Sequence, residues 1–404
     1  MQMTEKKVVG ILFSAWCIVL PWSIAGMQLL AGALVIVSMG FAIRYKQMPL
    51  HFNQFFIFSG LYILSLIITI LAVPNSYHVL RSTFNNDWML ILVPFLIFLN
   101  VSAEWRRRAI YALLVSSSVA GLYGIIQFFT GIEYFRGKNL GLLGNYYRAI
   151  GGYGGFFEFA GNQLMTFGIA VSLVFKESKK RILIIFPFIA FLAIIASQTR
   201  SAWVAALFII FLAFLITNRK YLVYAIIAVI LISLFIFVAV PDVQSRFESI
   251  FDPAKNEGRL NIWRTSFLIF NDNMLIGVGH GNFDQFFDVY RVPGFYDAQG
   301  HAHNDYLNIA VLNGIIGLAA WLGMWIFWFR RSFQVYRLKE IELFDQAIIL
   351  GGILSISGIL VASFFECYYT DLENNIFWWC IVCLNLIIIR GKNNNPTSSA
   401  GSDQ

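Results

Sequence analysis

Apolar residues run along this chain in long blocks, separated by short polar breaks. A helix that crosses the hydrocarbon layer of a bilayer needs about 20 such residues. On that measure twelve candidate spans appear, near 8–23, 25–43, 54–73, 87–101, 109–130, 157–175, 182–198, 202–217, 221–240, 304–329, 345–365 and 374–389. The first follows Met-Gln-Met-Thr-Glu-Lys-Lys, which resembles the opening of a signal peptide. No small-residue cleavage site with a polar domain follows, so it reads as a retained first helix. The expected fold is an all-α integral membrane protein of about twelve transmembrane helices. It forms one polytopic domain over 1–390, with a flexible tail at 391–404 rich in Asn, Ser and Thr.

Two connections break this economy, at about 131–156 and 241–303. Long connections in an otherwise compact chain are usually functional. In the second, Leu260, Trp263, Phe267 and Phe270 repeat at helical spacing. They predict a helix with one apolar face, lying on the membrane surface or capping the bundle. Gly277, Gly279 and Gly281 then break the chain. Their spacing matches no phosphate loop, so a plain turn is preferred over an anion-binding one. A further helix is expected over 282–290.

Composition agrees with the pattern. Of 404 residues, 58% are hydrophobic and only 13% are charged, which places the chain in the membrane class. Cys17, Cys367, Cys380 and Cys383 form neither a disulfide framework nor a zinc site. Cys380 and Cys383 sit inside an apolar run and read as small packing residues. The basic residues decide the orientation. With a cytoplasmic N-terminus, one set of loops holds 19 of the 29 Lys and Arg, among them Lys6, Lys7, Arg106, Arg107, Arg108, Lys179, Lys180, Arg330 and Arg331. The positive-inside rule then puts both termini in the cytoplasm and both long loops outside.

The spans carry almost no charge, which counts against an ion-coupled transporter or flippase. Candidate chemistry gathers instead at the outer boundary. Arg200 stands in the hairpin Ser197-Gln198-Thr199-Arg200-Ser201-Ala202-Trp203. One reading is an interface anchor beside Trp203. The other is an anion clamp, because a guanidinium fork bonds two phosphate oxygens at once. Arg259 opens the loop helix, and Arg148 ends the first long loop. Three outer arginines suit a polyanionic lipid head group. His303, in His301-Ala302-His303-Asn304-Asp305, stands where the long loop enters the tenth span. A histidine there suits proton acceptance near neutral pH. A metal site from His301, His303 and Asp305 is the weaker reading, since no third strong ligand is evident. Glu158, Glu366 and Asp371 are each placed to orient the histidine, and the sequence does not choose among them.

These residues resemble a family. His303-Asn304, nine residues, Gly314, two residues and Gly317 resemble the motif of O-antigen ligases. The Gln198–Trp203 hairpin, and Gly258-Arg259-Leu260-Asn261-Ile262-Trp263 followed by Gly277-Val278-Gly279, resemble segments of the wider ligase and polymerase superfamily. The resemblance implies a metal-independent, inverting glycosyltransferase of the bacterial inner membrane with a periplasmic active site. Its donor would be a glycan on undecaprenyl pyrophosphate and its acceptor the lipid A–core oligosaccharide. Arg200 and Arg259 would bind pyrophosphate and His303 would act as general base. Asn304, Arg148 and His301 would support them. No cofactor, metal or nucleic acid is implied; membrane lipids are the other expected partner. A polymerase of the same superfamily is the alternative.

Overall fold

The computed structural model describes residues 3–45, 54–99, 101–177, 179–224, 226–227, 230–231, 256–296 and 300–393. Its helices are α1 (Met3–Val19), α2 (Ile24–Arg44), α3 (Gln54–Ala72), α4 (Ser76–Phe98), α5 (Ala103–Thr130), α6 (Phe156–Lys176), α7 (Ile185–Ala196), α8 (Arg200–Thr217), α9 (Glu257–Asp272), α10 (Phe283–Tyr290), α11 (Asp305–Tyr336), α12 (Leu343–Ala362) and α13 (Leu372–Asn393). The fold is all-α and helices fill eleven of the twelve predicted segments. The ninth, 221–240, lies largely outside the described residues, as do 241–255 of the long loop and 394–404 of the predicted tail. Among the described residues, eight helices are long and apolar enough to cross a membrane. This is a multi-pass membrane protein.

Several boundaries differ from expectation for physical reasons. α1 ends before Pro21, which cannot continue a helix. α4 starts eleven residues earlier than predicted, because its first turns, Ser76 to Asn86, are helical but polar. They face a loop rather than lipid: His78 bonds the Gly281 carbonyl at 3.1 Å and Asn86 bonds His280 at 3.2 Å. The loop at 131–156 holds two short hairpins, β1 (Ile132–Glu133) with β2 (Lys138–Asn139) and β3 (Leu142–Leu143) with β4 (Tyr146–Tyr147). Residues 391–393 extend α13 instead of starting the tail.

α9 and α10 form where the long loop was expected to be helical. The apolar stripe of α9 is not its most buried face, however. Phe267 is 60% exposed, while Asn261, Ile262, Thr265, Ser266 and Ile269 are buried. Leu260, Trp263 and Phe270 are half-buried at the edge of this face, and Phe267 turns outward. In water that arrangement is costly; at a membrane surface the lipid covers the stripe.

Inside the bundle, small residues let helices approach closely, the usual device where lipid removes the hydrophobic drive. α6 meets α12 at Gly168, where Ser355 leaves no room for a side chain, and the Ser172 hydroxyl donates to the Ala347 carbonyl at 2.8 Å. α13 runs through the middle, with Trp378, Trp379, Cys380 and Cys383 fully buried and all four cysteines free.

α11 breaks at Gly314, whose φ of 67° and ψ of −173° are not helical. A break inside an apolar bundle frees backbone groups that need partners. The glycine turn supplies them. Val278 and Gly279 donate to the Val311 and Leu312 carbonyls at 2.9 Å each, and Ile315 donates to Met274 at 2.8 Å. A side chain at Gly277 or Gly314 would collide with the facing backbone. The glycines therefore serve a close-packed turn, and Gly314 stitches the loop to the helix that begins beside His303.

Candidate active site

One short loop organises the chemistry: residues 363–371, between α12 and α13. The Asp305 carboxylate, buried at the start of α11, accepts from the backbone N–H groups of Tyr368 at 2.9 Å and Tyr369 at 2.8 Å. It also accepts from the Ser363 hydroxyl at 2.7 Å. Asp305 thus ties the α11 N-terminus to this loop and does not join the histidines as a ligand. Asn304 caps α11, accepting from the Leu307 N–H at 3.0 Å, and its amide donates to the Phe364 carbonyl at 3.1 Å. Asn308 accepts from the Ala302 N–H at 3.3 Å and so holds the turn before His303.

The result fixes a buried pair. His303 Nδ1 lies 2.8 Å from Glu366 Oε1. The two side chains are 9% and 3% exposed, so water does not compete. Burial alone would raise the Glu366 pKa, but the hydrogen bond and charge of His303, with His301 and Arg259, outweigh it and hold the carboxyl below its ordinary range. An ionised carboxylate only accepts, so the proton of His303 sits on Nδ1 and Nε2 is left as the basic nitrogen. His303 also has φ of 47°. That is strained for a residue with a side chain, and such strain gathers at functional positions.

His301 stacks edge-on against His303, with centroids 4.3 Å apart. Its Nδ1 accepts from the His303 backbone N–H at 3.2 Å. Burial lowers its pKa against the opposing pull of the Glu366 carboxylate. Arg259, near the start of α9, approaches the other Glu366 oxygen at 3.6 Å. Arg259 Nε and Glu366 Oε2 are buried, and neither has a hydrogen-bond partner among the described residues. Two such atoms facing one another across an ion pair leave hydrogen-bonding capacity that a ligand could use.

Arg200 opens α8 and donates to Asn256 Oδ1 at 3.4 Å, three residues before Arg259. Gln198, two residues earlier, has φ of 53°. The next residue along, Ser201, meets Tyr368 oxygen to oxygen at 3.0 Å, which links the hairpin to the loop carrying Glu366. Arg148 stands further off. Its Nε donates to the Ser197 carbonyl at 3.3 Å and its guanidinium covers Phe156. The structure therefore brings His301, His303, Arg259 and Glu366 together, sets Arg200 and Asn304 at their edge, and ties Arg148 to the neighbouring hairpin. Among the three carboxylates that the sequence left open, geometry selects Glu366.

Residues 185–322, about a third of the chain, match the family model for O-antigen ligase. That segment includes Arg200, Arg259, His301, His303 and Asn304, whereas Glu366 lies beyond it. No curated protein matches the chain. Over residues 185–322 the chain is similar to O-antigen ligases, and its described residues include eight helices long and apolar enough to cross a membrane.

Proposed function

We propose that this protein is an O-antigen ligase of the bacterial inner membrane. It transfers a glycan from undecaprenyl pyrophosphate to a hydroxyl of lipid A–core at the periplasmic face, with inversion and without a metal. The observation that carries this reading is the buried Glu366–His303 pair beside Arg259, whose Nε has no hydrogen-bond partner among the described residues.

The chemistry follows from the geometry. Glu366 holds the His303 ring, so Nε2 takes the proton of an acceptor hydroxyl. As that proton leaves, the acceptor oxygen bonds to the anomeric carbon and the bond from that carbon to phosphate breaks. The electron pair departs with the lipid pyrophosphate, where Arg259 and Arg200 meet the growing charge. Donors fixed before the reaction cost no reorganisation when charge develops, and this is usually the largest catalytic effect. Attack opposite the leaving group inverts the centre. The donor arrives activated, so no nucleotide is required.

The ligand atoms of His301, His303 and Glu366 lie within 4.8 Å of one another, a spacing that would suit a metal ion. A cation there would break the His303–Glu366 bond, take the His301 nitrogen that receives the His303 N–H, and sit beside the Arg259 guanidinium. Those bonds support a base and its orienting carboxylate.

The test is transfer by purified protein supplied with undecaprenyl-pyrophosphate-linked glycan and lipid A–core. Product on lipid A–core, lost in His303→Ala and unaffected by EDTA, is expected. Lengthening of the lipid-linked glycan alone would make the protein a polymerase. Loss on chelation, restored by a divalent ion, would replace the general base with a metal.

A further inference from the structure

A second feature reaches the site through His301, the neighbour of His303. A cavity of about 280 Å³ lies between the polar first half of α4, the glycine turn and the start of α10, and His301 forms part of its wall. The volume is near the low end for ligand pockets, room for roughly one sugar ring. Its wall is made of amides and hydroxyls, with Ser82, Asn85, Asn86 and Asn308 among them, together with the Phe283 ring and the Asp284 carboxylate. No Lys or Arg lines it among the described residues. It is the wrong chemistry for pyrophosphate and the right chemistry for a neutral ligand rich in hydroxyls.

The wall is also rigidly built. His280 is 1% exposed, with its ring nitrogens 3.2 Å from the Asn86 and Asn313 amides. Gly281 lets the turn press against α4, since a side chain there would collide with Ser82. The polar turns of α4, unexpected in a membrane helix, are accounted for by this wall.

We infer that this cavity is the acceptor subsite, holding one neutral sugar residue so that its free hydroxyl meets His303. The inference rests on the glycosyl-transfer reading above. Donor and acceptor then reach the base from different sides: pyrophosphate along the arginines, acceptor sugar along the amides. Asp284 and the asparagines take the hydroxyls that do not react. The proton of the reacting hydroxyl passes to His303, and its oxygen replaces the pyrophosphate on the anomeric carbon.

The test measures initial rates at saturating donor while the acceptor is varied, first lipid A–core and then lipid-linked glycan. Asn85→Ala and Asp284→Asn should each raise the acceptor KM about tenfold or more. Ser82→Tyr, which fills the cavity, should abolish acceptor saturation. The donor KM should move less than twofold in all three. Whichever acceptor responds is the one the cavity holds. An unchanged acceptor KM, or an equal rise in both KM values, overturns the subsite while transfer by wild type keeps the functional reading intact. A second measurement does not depend on turnover. Equilibrium binding of lipid A–core and of lipid-linked glycan to His303→Ala protein should weaken about tenfold when Asn85→Ala is added. Equal binding of both by the two proteins overturns the subsite, even if the wild type transfers nothing.

Discussion

The two ends of the helix bundle use the same residue types in opposite ways. At one end, Arg106 donates through Nε to Asp345 at 3.0 Å and through a terminal nitrogen to the other carboxylate oxygen. Its remaining terminal nitrogen meets the Val101 carbonyl at 2.6 Å. Every nitrogen of that guanidinium is spent on the protein. At the other end, Arg259 stands 3.6 Å from Glu366, and its Nε has no partner among the described residues. Glu366 in turn divides itself between His303 and Arg259. A matched pair locks loops together; a shared and incomplete one keeps donors for a ligand. This difference separates structural arginines from functional ones here, where burial alone does not.

Substitutions sharpen the contrast. Arg106→Ala should leave Asp345 buried and uncompensated and lower stability by roughly 3 to 5 kcal/mol, while transfer per folded molecule stays near wild type. Thermal melting in detergent beside an activity assay reads both. Arg259→Ala and Arg200→Ala should do the reverse, each lowering transfer by roughly 100- to 1,000-fold with little change in melting. A large loss of stability in Arg259→Ala, with normal turnover, would erase the distinction between the ends.

The reactive end should also be the more acid-sensitive. Burial holds the His280 pKa down at about 4, against an ordinary value of 6.5. The unfolded chain takes up this proton first as pH falls. The neutral ring's contribution is therefore complete above about pH 6.5 and shrinks as pH drops toward 4. The gap is worth about 3 kcal/mol. Melting temperature should decline across that window in wild type and decline less in His280→Gln. The smallest effect is expected at Arg107, whose pair with Glu342 is 42% and 51% exposed. Arg107→Ala should change stability by less than about 1 kcal/mol, and less still at high salt.

Much of this was legible in the sequence, and the failures have physical causes. Apolar runs gave the helices, because a span must satisfy its backbone internally and must be long. Motif spacing pointed to Arg200, Arg259 and His303. Glu366 could not be chosen over Glu158 or Asp371. Its position depends on a loop folded around Asp305 through backbone N–H groups, which leave no trace in residue order. The face of α9 was left between membrane surface and bundle because an apolar stripe signals lipid as readily as core. The early start of α4 was missed because Ser82, Asn85 and Asn86 look like loop residues until the cavity they line is seen.

The central claim is that Glu366 and His303 act as one unit. The most direct test is a double-mutant cycle on glycan transfer by purified protein, with His303→Ala, Glu366→Gln and the two combined. Each single change should lower the rate by about 100-fold or more, and the double should be no slower than His303→Ala, since groups acting together do not lose their effects additively. Near-normal transfer by Glu366→Gln, or losses that multiply in the double, would contradict the account.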